Sequence, residues 1–190
     1  EFSHLQKLKV SKYLANFSIF QSIPDAWSID QLFPILPLSR HHEVTTHKAA
    51  IVDITCDSDG CIDHFVDRKS KKTHLDLHRP NGSPYYLGFF LVGAYQESLA
   101  SEHNLFGAIH EVEVITNEQG WEIAKTTSGD PIAELLACRN YDESTMLKGY
   151  KSQISKAMDQ NLLDKRGGDM VMDCLKDVLA AYPYLQERQN

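Results

Sequence analysis

The sequence has few cysteines, fewer basic than acidic residues and no long apolar run. Its 190 residues include four cysteines, too few and too irregularly spaced for a disulfide framework or a zinc site, so we expect reduced thiols in the cytoplasm. The 26 Asp and Glu outnumber the 19 Lys and Arg, and the formal charge is −7. A nucleic-acid or anionic-membrane surface is therefore not expected, because phosphates are bound by clustered cations.

The longest uncharged apolar stretch, residues 85–95, is about half of the ~20 residues that a membrane-spanning helix needs. No membrane segment is expected. Glu1 stands first instead of Met, and no basic and apolar leader follows it, so we expect no signal peptide and a piece cut from a longer chain. The 42% hydrophobic and 24% charged content is typical of a folded globular protein.

The apolar pattern changes near residue 130. Before it, short β-rich runs alternate with clusters of Asp, Asn and Gly, which is typical of strands and hairpins. After Gly129, apolar residues recur every three to four positions, which indicates two or three amphipathic helices. We predict an α+β fold, with an antiparallel β-sandwich or barrel-like domain over residues 16–128 and a helical extension over residues 129–190. Residues 1–15 are expected to end an upstream helical segment.

A thiol and several carboxylates stand together at the end of one predicted strand, in the run DITCDSDG at residues 53–60. A cysteine beside a turn can face a cleft and exchange a proton with a substrate. The residue types alone leave open a buried structural cysteine and a plain hairpin turn. A calcium loop is excluded, because placing Gly60 at loop position six would require Asp at Thr55 and Glu at Val66.

A second candidate lies at the end of the apolar run, where Gly93 and Ala94 precede Tyr95. Small residues let the backbone approach a ligand, and a phenolic hydroxyl can hydrogen-bond a phosphate. The alternative is a core strand over residues 85–92 with a tyrosine at its edge.

Five ordered blocks resemble the biosynthetic arginine decarboxylases of bacteria, a pyridoxal-phosphate-dependent family of the alanine-racemase-like group. The blocks are FQSIPDAW at 20–27, IDQLFP at 29–34, DITCDSDG at 53–60, LGFFLVGAYQE at 87–97 and HNLFG at 103–107. The resemblance extends from about Tyr13 to Leu185 and implies the C-terminal portion of the family's polypeptide. The family's TIM-type barrel, with the lysine that binds the cofactor, would lie outside this chain.

The resemblance implies conversion of L-arginine to agmatine and CO2 for polyamine synthesis, with pyridoxal 5'-phosphate as cofactor, and it allows Mg²⁺ as a further cofactor. Cys56 matches the family's proton donor. A thiol suits that task because its ordinary pKa of about 8.5 leaves it protonated near neutral pH. Asp57, with Asp59 as a second candidate, matches the residue that meets the guanidinium of the substrate. Tyr95 matches the tyrosine that holds the cofactor phosphate.

In this family the active site forms where the barrel of one subunit meets the β-domain of its mate, which implies a homodimer or a higher oligomer. The Cys56 turn would serve the mate, and Tyr95 the chain's own subunit. We expect these 190 residues to be inactive alone. Two alternatives stay open: a non-catalytic binding or regulatory module that pairs with a full-length decarboxylase, and a decarboxylase of ornithine, lysine or diaminopimelate. Cys61 has no role in the resemblance.

Overall fold

The computed structural model describes residues 10–67 and 71–186, apart from the side chain of Glu97. These residues form two compact units, one ending at Asn104 and the other beginning at Leu105. The expected α+β class is confirmed, although the described strands form small separate sheets and no closed barrel. The expected domain boundary between residues 128 and 129 stays a prediction.

Short strands and helices build the first unit. Its strands are β1 (Ser11–Leu14), β2 (Ile35–Pro37), β3 (His47–Val52), β4 (Cys61–Ile62), β5 (Phe65–Val66), β6 (Lys71–Lys72), β7 (Leu75–Leu77) and β8 (Leu87–Phe89). Its helices are α1 (Ile19–Ser22), α2 (Pro24–Ser28) and α3 (Gln96–Leu99), and a 3-10 turn covers His103–Leu105.

Strand β3 is the centre of the largest sheet. It pairs in parallel with β1 and antiparallel with β4 and β7, while β2 pairs with β8 and β5 with β6. The middle of β3, Ala49 to Ile51, is buried on both faces, as is typical of a strand covered on both sides. Ile51 packs with Ile35 and Phe65 in one core cluster. Side chains such as Phe17 and Phe89 join it to a second cluster around Ile19 and Phe20 of α1.

Two expectations from the sequence need correction. Residues 11–14 form strand β1 instead of a helix, because their backbone pairs with residues 49–52 of β3 and tertiary pairing overrides local propensity. The rest of that expected helix, residues 1–9, lies outside the described residues. The strand expected over residues 85–92 is limited to β8, because Leu91 takes φ 62°, a left-handed conformation that ends a strand.

Asp53 follows β3 and is a buried carboxylate, 4% exposed. Its Oδ2 accepts the backbone N–H of Ile19 at 2.9 Å, at the start of α1. Its Oδ1 accepts the backbone N–H and the hydroxyl of Thr55 at 2.9 and 2.7 Å. These three bonds compensate for the removal of the carboxylate from water. Asp53 thus joins the end of the central strand to α1 and to the turn that follows.

The second unit contains a hairpin and three helices: β9 (Glu111–Asn117), β10 (Gly120–Thr127), α4 (Ile132–Ala137), α5 (Glu143–Asp159) and α6 (Lys165–Ala180). In the hairpin, Val112 and Val114 lie opposite Thr126 and Ile123 and so share one face, which is exposed. Asp142 caps α5 and Asp164 caps α6 through side-chain bonds to backbone N–H groups. No helix in the described part of the chain is long and apolar enough to cross a bilayer.

Gly60→Ala tests the packing around Asp53. A Cβ on Gly60 would overlap the Asp53 carboxylate and lie 2.9 Å from the Thr55 hydroxyl oxygen. Both groups must then shift, so we expect the free energy of unfolding to fall by about 2–3 kcal/mol. Gly149→Ala, within helix α5 and with nothing near its added Cβ, should raise it by about 0.5–1 kcal/mol. Urea unfolding of both variants provides the measurement, and equal effects would refute this account.

Candidate functional site

The turn after β3 is organised by alternate residues. The Thr55 hydroxyl donates to Asp53 and accepts the backbone N–H of Asp57 at 3.4 Å. The Asp57 carboxylate accepts the backbone N–H of Asp59 through Oδ1 at 2.9 Å, and the carbonyl of Asp57 accepts the N–H of Gly60 at 3.2 Å. Gly60 in turn accepts the N–H of Asp53 at 2.8 Å. Side-chain bonds of this kind are the usual reason why Asp and Thr favour turns.

This turn brings Cys56, Asp57 and Asp59 together, as the sequence predicts for neighbours in one loop. Cys56 is exposed. Its backbone N–H donates to Oδ1 of Asn104 at 3.2 Å, and its Sγ lies 3.7 Å from the same oxygen. The amide oxygen of Asn104 therefore accepts hydrogen bonds from both the backbone N–H and the thiol of Cys56.

The neighbouring Asp57 contacts the same segment of the chain. Its Oδ2 lies 3.2 Å from Nε2 of His103, with both side chains about one third exposed. A contact of that exposure contributes little to stability. Its effect is to orient the carboxylate, because Oδ1 and Oδ2 then each have a fixed partner.

The 3-10 turn that carries His103 and Asn104 is held by helix α1. The centroid of the His103 ring lies 4.3 Å from that of Phe20, with the rings tilted by 36°, and Phe20 is 2% exposed. The backbone N–H of Ser101 donates to the carbonyl of Phe20 at 3.0 Å. Asp53 binds the start of α1, α1 contacts the 3-10 turn, and the 3-10 turn contacts Cys56. These contacts form a closed loop around the cysteine turn.

Tyr95 lies on a different segment from the cysteine turn, immediately before α3, which packs against α1 and α2. Tyr95 is 58% exposed. Gly93, two residues earlier, has φ +118° and open space where a Cβ would stand. An exposed hydroxyl beside an accessible backbone fits contact with a phosphate group. The role expected for Tyr95 stays a prediction.

Cys61 opens β4 and differs from Cys56 in its surroundings. It is half-buried and lines a cavity of about 230 Å³ with Asp63 and His64. Burial, followed by the nearby negative charge of Asp63, raises the pKa of the Cys61 thiol. A thiol that stays protonated in this way is a poor nucleophile near neutral pH.

A metal site is not evident in the described residues, where no group of three His, Cys, Asp or Glu side chains could hold an ion. The Mg²⁺ that the resemblance allows is therefore assigned to none of the residues that the structure describes.

Known proteins resemble this chain in both sequence and structure. No family model matches the chain. A biosynthetic arginine decarboxylase of Synechocystis is 39% identical over 187 residues, which make up 97% of this chain and 28% of that protein. One of Bacteroides thetaiotaomicron is also 39% identical, over 98% of this chain and 30% of its own length. The resemblance to the biosynthetic arginine decarboxylases is confirmed.

The fold agrees with that of a biosynthetic arginine decarboxylase. The crystal structure of the enzyme from Campylobacter jejuni superposes with a TM-score of 0.79 at 36% identity, over 94% of this chain and 30% of that one. The chain therefore spans somewhat less than a third of the length of the arginine decarboxylases it matches.

Sequence reasoning assigned no role to four residues that shape the site, namely Asp53, Thr55, His103 and Asn104. Asp53 and Thr55 lie within the DITCDSDG block, and His103 and Asn104 begin the HNLFG block. The polar His-Asn pair in the HNLFG block could have indicated that this segment belongs to the site. Its partner could not be read from the sequence, since 48 positions separate Cys56 from Asn104.

Alkylation by iodoacetamide at pH 8 should separate the thiols. Cys61 should react more slowly than the exposed Cys138, and its pH profile should lie at higher pH, because burial raises the pKa of Cys61 and only the thiolate reacts. Peptide mass spectrometry over a pH series gives the rate for each cysteine. Equal rates at the two positions would contradict the burial seen here.

Proposed function

We propose that this chain is the C-terminal portion of a biosynthetic arginine decarboxylase, which converts L-arginine to agmatine and CO2 for polyamine synthesis in the cytoplasm. One observation carries the proposal. A single turn presents a thiol beside a carboxylate, each held by a side chain of the 3-10 turn, in a chain 38–41% identical to biosynthetic arginine decarboxylases.

Cys56 acts as the proton donor in this proposal. After CO2 leaves, the substrate's Cα needs a proton, and the Sγ–H bond of Cys56 breaks as the Cα–H bond forms. The thiolate left behind recovers a proton from solvent. Support comes from the exposure of Cys56 and from its fixed backbone, which together let the thiol face a substrate that approaches the turn.

Asp57 receives the guanidinium of arginine. Its Oδ1 already accepts a hydrogen bond from the Asp59 N–H, and its Oδ2 lies 3.2 Å from Nε2 of His103, so each oxygen keeps a further lone pair. A carboxylate whose orientation is fixed can pair with the planar guanidinium through two parallel bonds. Asp59 is exposed beside it and adds a second negative charge for a cationic substrate.

Pyridoxal 5'-phosphate is the proposed cofactor, and its phosphate would be held by the Tyr95 hydroxyl with the backbone at Gly93. When bound, this cofactor supplies an electron sink for the pair left by departing CO2. The lysine that attaches it is proposed to lie in another part of the polypeptide, and Mg²⁺ has no proposed residue here.

A homodimer or higher oligomer is part of the proposal. Cys56 is exposed and Asp57 is partly exposed on this chain. General acid catalysis and guanidinium pairing are both stronger where water is excluded. A second surface is needed to enclose the turn, and the barrel of a partner subunit is the surface we propose.

Cys56→Ala in the protein expressed from its complete reading frame tests the proton donor. Loss of a positioned acid removes about 100-fold or more of the rate, so agmatine production should fall by that factor. Absorbance of bound pyridoxal phosphate should persist, since the thiol is not its attachment point. Cys61→Ala, which changes the half-buried thiol on β4, provides the matched control and should keep most of the activity. Unchanged turnover in Cys56→Ala would refute this role.

Asp57→Asn tests substrate recognition. The variant keeps the shape of the side chain and removes the charge that pairs with the guanidinium. Charge-assisted bonds contribute about 1.5–3 kcal/mol, so KM for arginine should rise about tenfold or more. Asp63→Asn changes an exposed carboxylate outside the turn and should leave KM unchanged. Steady-state assays with arginine, ornithine and lysine on the parent complete the test, and a preference for ornithine or lysine would contradict the assignment to arginine.

A further inference from the structure

Asn104 makes two contacts with the proposed proton donor, and the resemblance assigned no role to this residue. Its Oδ1 accepts the backbone N–H of Cys56 at 3.2 Å and lies 3.7 Å from Sγ. The backbone contact fixes which end of the amide faces Cys56, because an N–H donor requires the oxygen and not the nitrogen. The same oxygen is therefore the group that the thiol meets.

We propose that Asn104 is a positioning residue that aims the Cys56 thiol for donation of its proton to the substrate. This inference rests on the proposed function, in which Cys56 supplies the proton. It extends that function by naming the group that controls the donor.

The chemistry of the pair sets the direction of the effect. An amide oxygen only accepts hydrogen bonds, so in this contact Sγ–H donates. An exposed thiol without such a partner rotates freely about its Cα–Cβ bond. The contact with Asn104 restricts that rotation and fixes the direction in which the Sγ–H bond points.

Asn104 and the residue after it have an unusual backbone conformation. Asn104 has φ 54° and ψ 27°, and the following Leu105 has φ 61°. Asparagine tolerates the left-handed region, but leucine rarely occupies it. Such outliers persist where the surrounding structure imposes them. Here the surrounding contacts include the Phe20–His103 ring pair and the Ser101–Phe20 bond.

Other ionisable groups around the thiol are Asp57 and Asp59 of its own turn, the buried Asp53 behind it, and Glu102 and His103 of the facing segment. His103 is paired with Asp57 at 3.2 Å. A test of Asn104 must leave all of them in place, and substitutions at position 104 alone do so.

The test compares Asn104→Gly with Asn104→Asp in the protein expressed from its complete reading frame. Glycine keeps the left-handed backbone and removes the amide oxygen. Aspartate keeps the shape and adds a negative charge. Cys56 alkylation by iodoacetamide at a fixed mildly alkaline pH should become about threefold faster in Asn104→Gly, the effect of losing one hydrogen bond. It should become slower in Asn104→Asp, since a nearby anion disfavours the thiolate.

Matched controls separate this effect from damage to the fold. Asn140→Gly makes the same change at another left-handed asparagine, φ 65°, and should leave the Cys56 rate unchanged. Slow alkylation of Cys61 relative to Cys138 reports that the first unit is folded. If Asn104→Gly loses that protection, the isosteric Asn104→Asp decides the question alone. Cys56 alkylation rates equal to that of the parent in the folded Asn104 variants would overturn the proposal.

Kinetics distinguish this inference from the proposed function. Asn104→Gly should lower kcat for arginine with little change in KM, because Asn104 contacts the proton donor and not the carboxylate that meets the substrate. If Cys56→Ala abolishes turnover while the Asn104 variants change neither kcat nor the alkylation profile, the inference fails and the proposed function stands. If Cys56→Ala keeps full turnover, both fail.

Discussion

The buried carboxylate of Asp53 is the constraint on which the candidate site depends. Its oxygens accept hydrogen bonds from the start of α1 and from Thr55, and unpaired it would carry a large desolvation cost. Removing one partner therefore costs more than a surface hydrogen bond would. The end of β3, helix α1 and the cysteine turn are held as one unit by this requirement.

Rigidity at the cysteine turn comes from many modest bonds. The His103–Asp57 pair is partly exposed and contributes little to stability. Thr55, Asp57 and Asp59 add bonds within the turn, and Gly60 leaves the space that the Asp53 carboxylate occupies. As a result, the backbone of Cys56 and Asp57 is fixed while the thiol and the carboxylate stay accessible.

The sequence predicted the α+β class and the grouping of Cys56, Asp57 and Asp59, because these follow from local patterns and from adjacency in one turn. It did not predict the parallel pairing of β1 with β3, since register between distant segments leaves no local trace. The contact of Asn104 with Cys56 was likewise hidden by 48 intervening residues. In the sequence, Asp53 looks the same as the other aspartates of the turn. Its burial in the structure distinguishes it from them.

The contacts that position the Cys56 thiol join segments that are far apart in the sequence, and this affects when the thiol becomes ordered during folding. Asp53 reaches Ile19 across 34 residues, and Asn104 reaches Cys56 across 48. Closing such loops costs chain entropy before the contacts compensate for it, so topologies rich in distant contacts fold slowly. A ribosome that has not yet released residue 104 carries a Cys56 without its partner. The thiol is therefore free to rotate during synthesis, and it takes its fixed direction only once the first unit has closed.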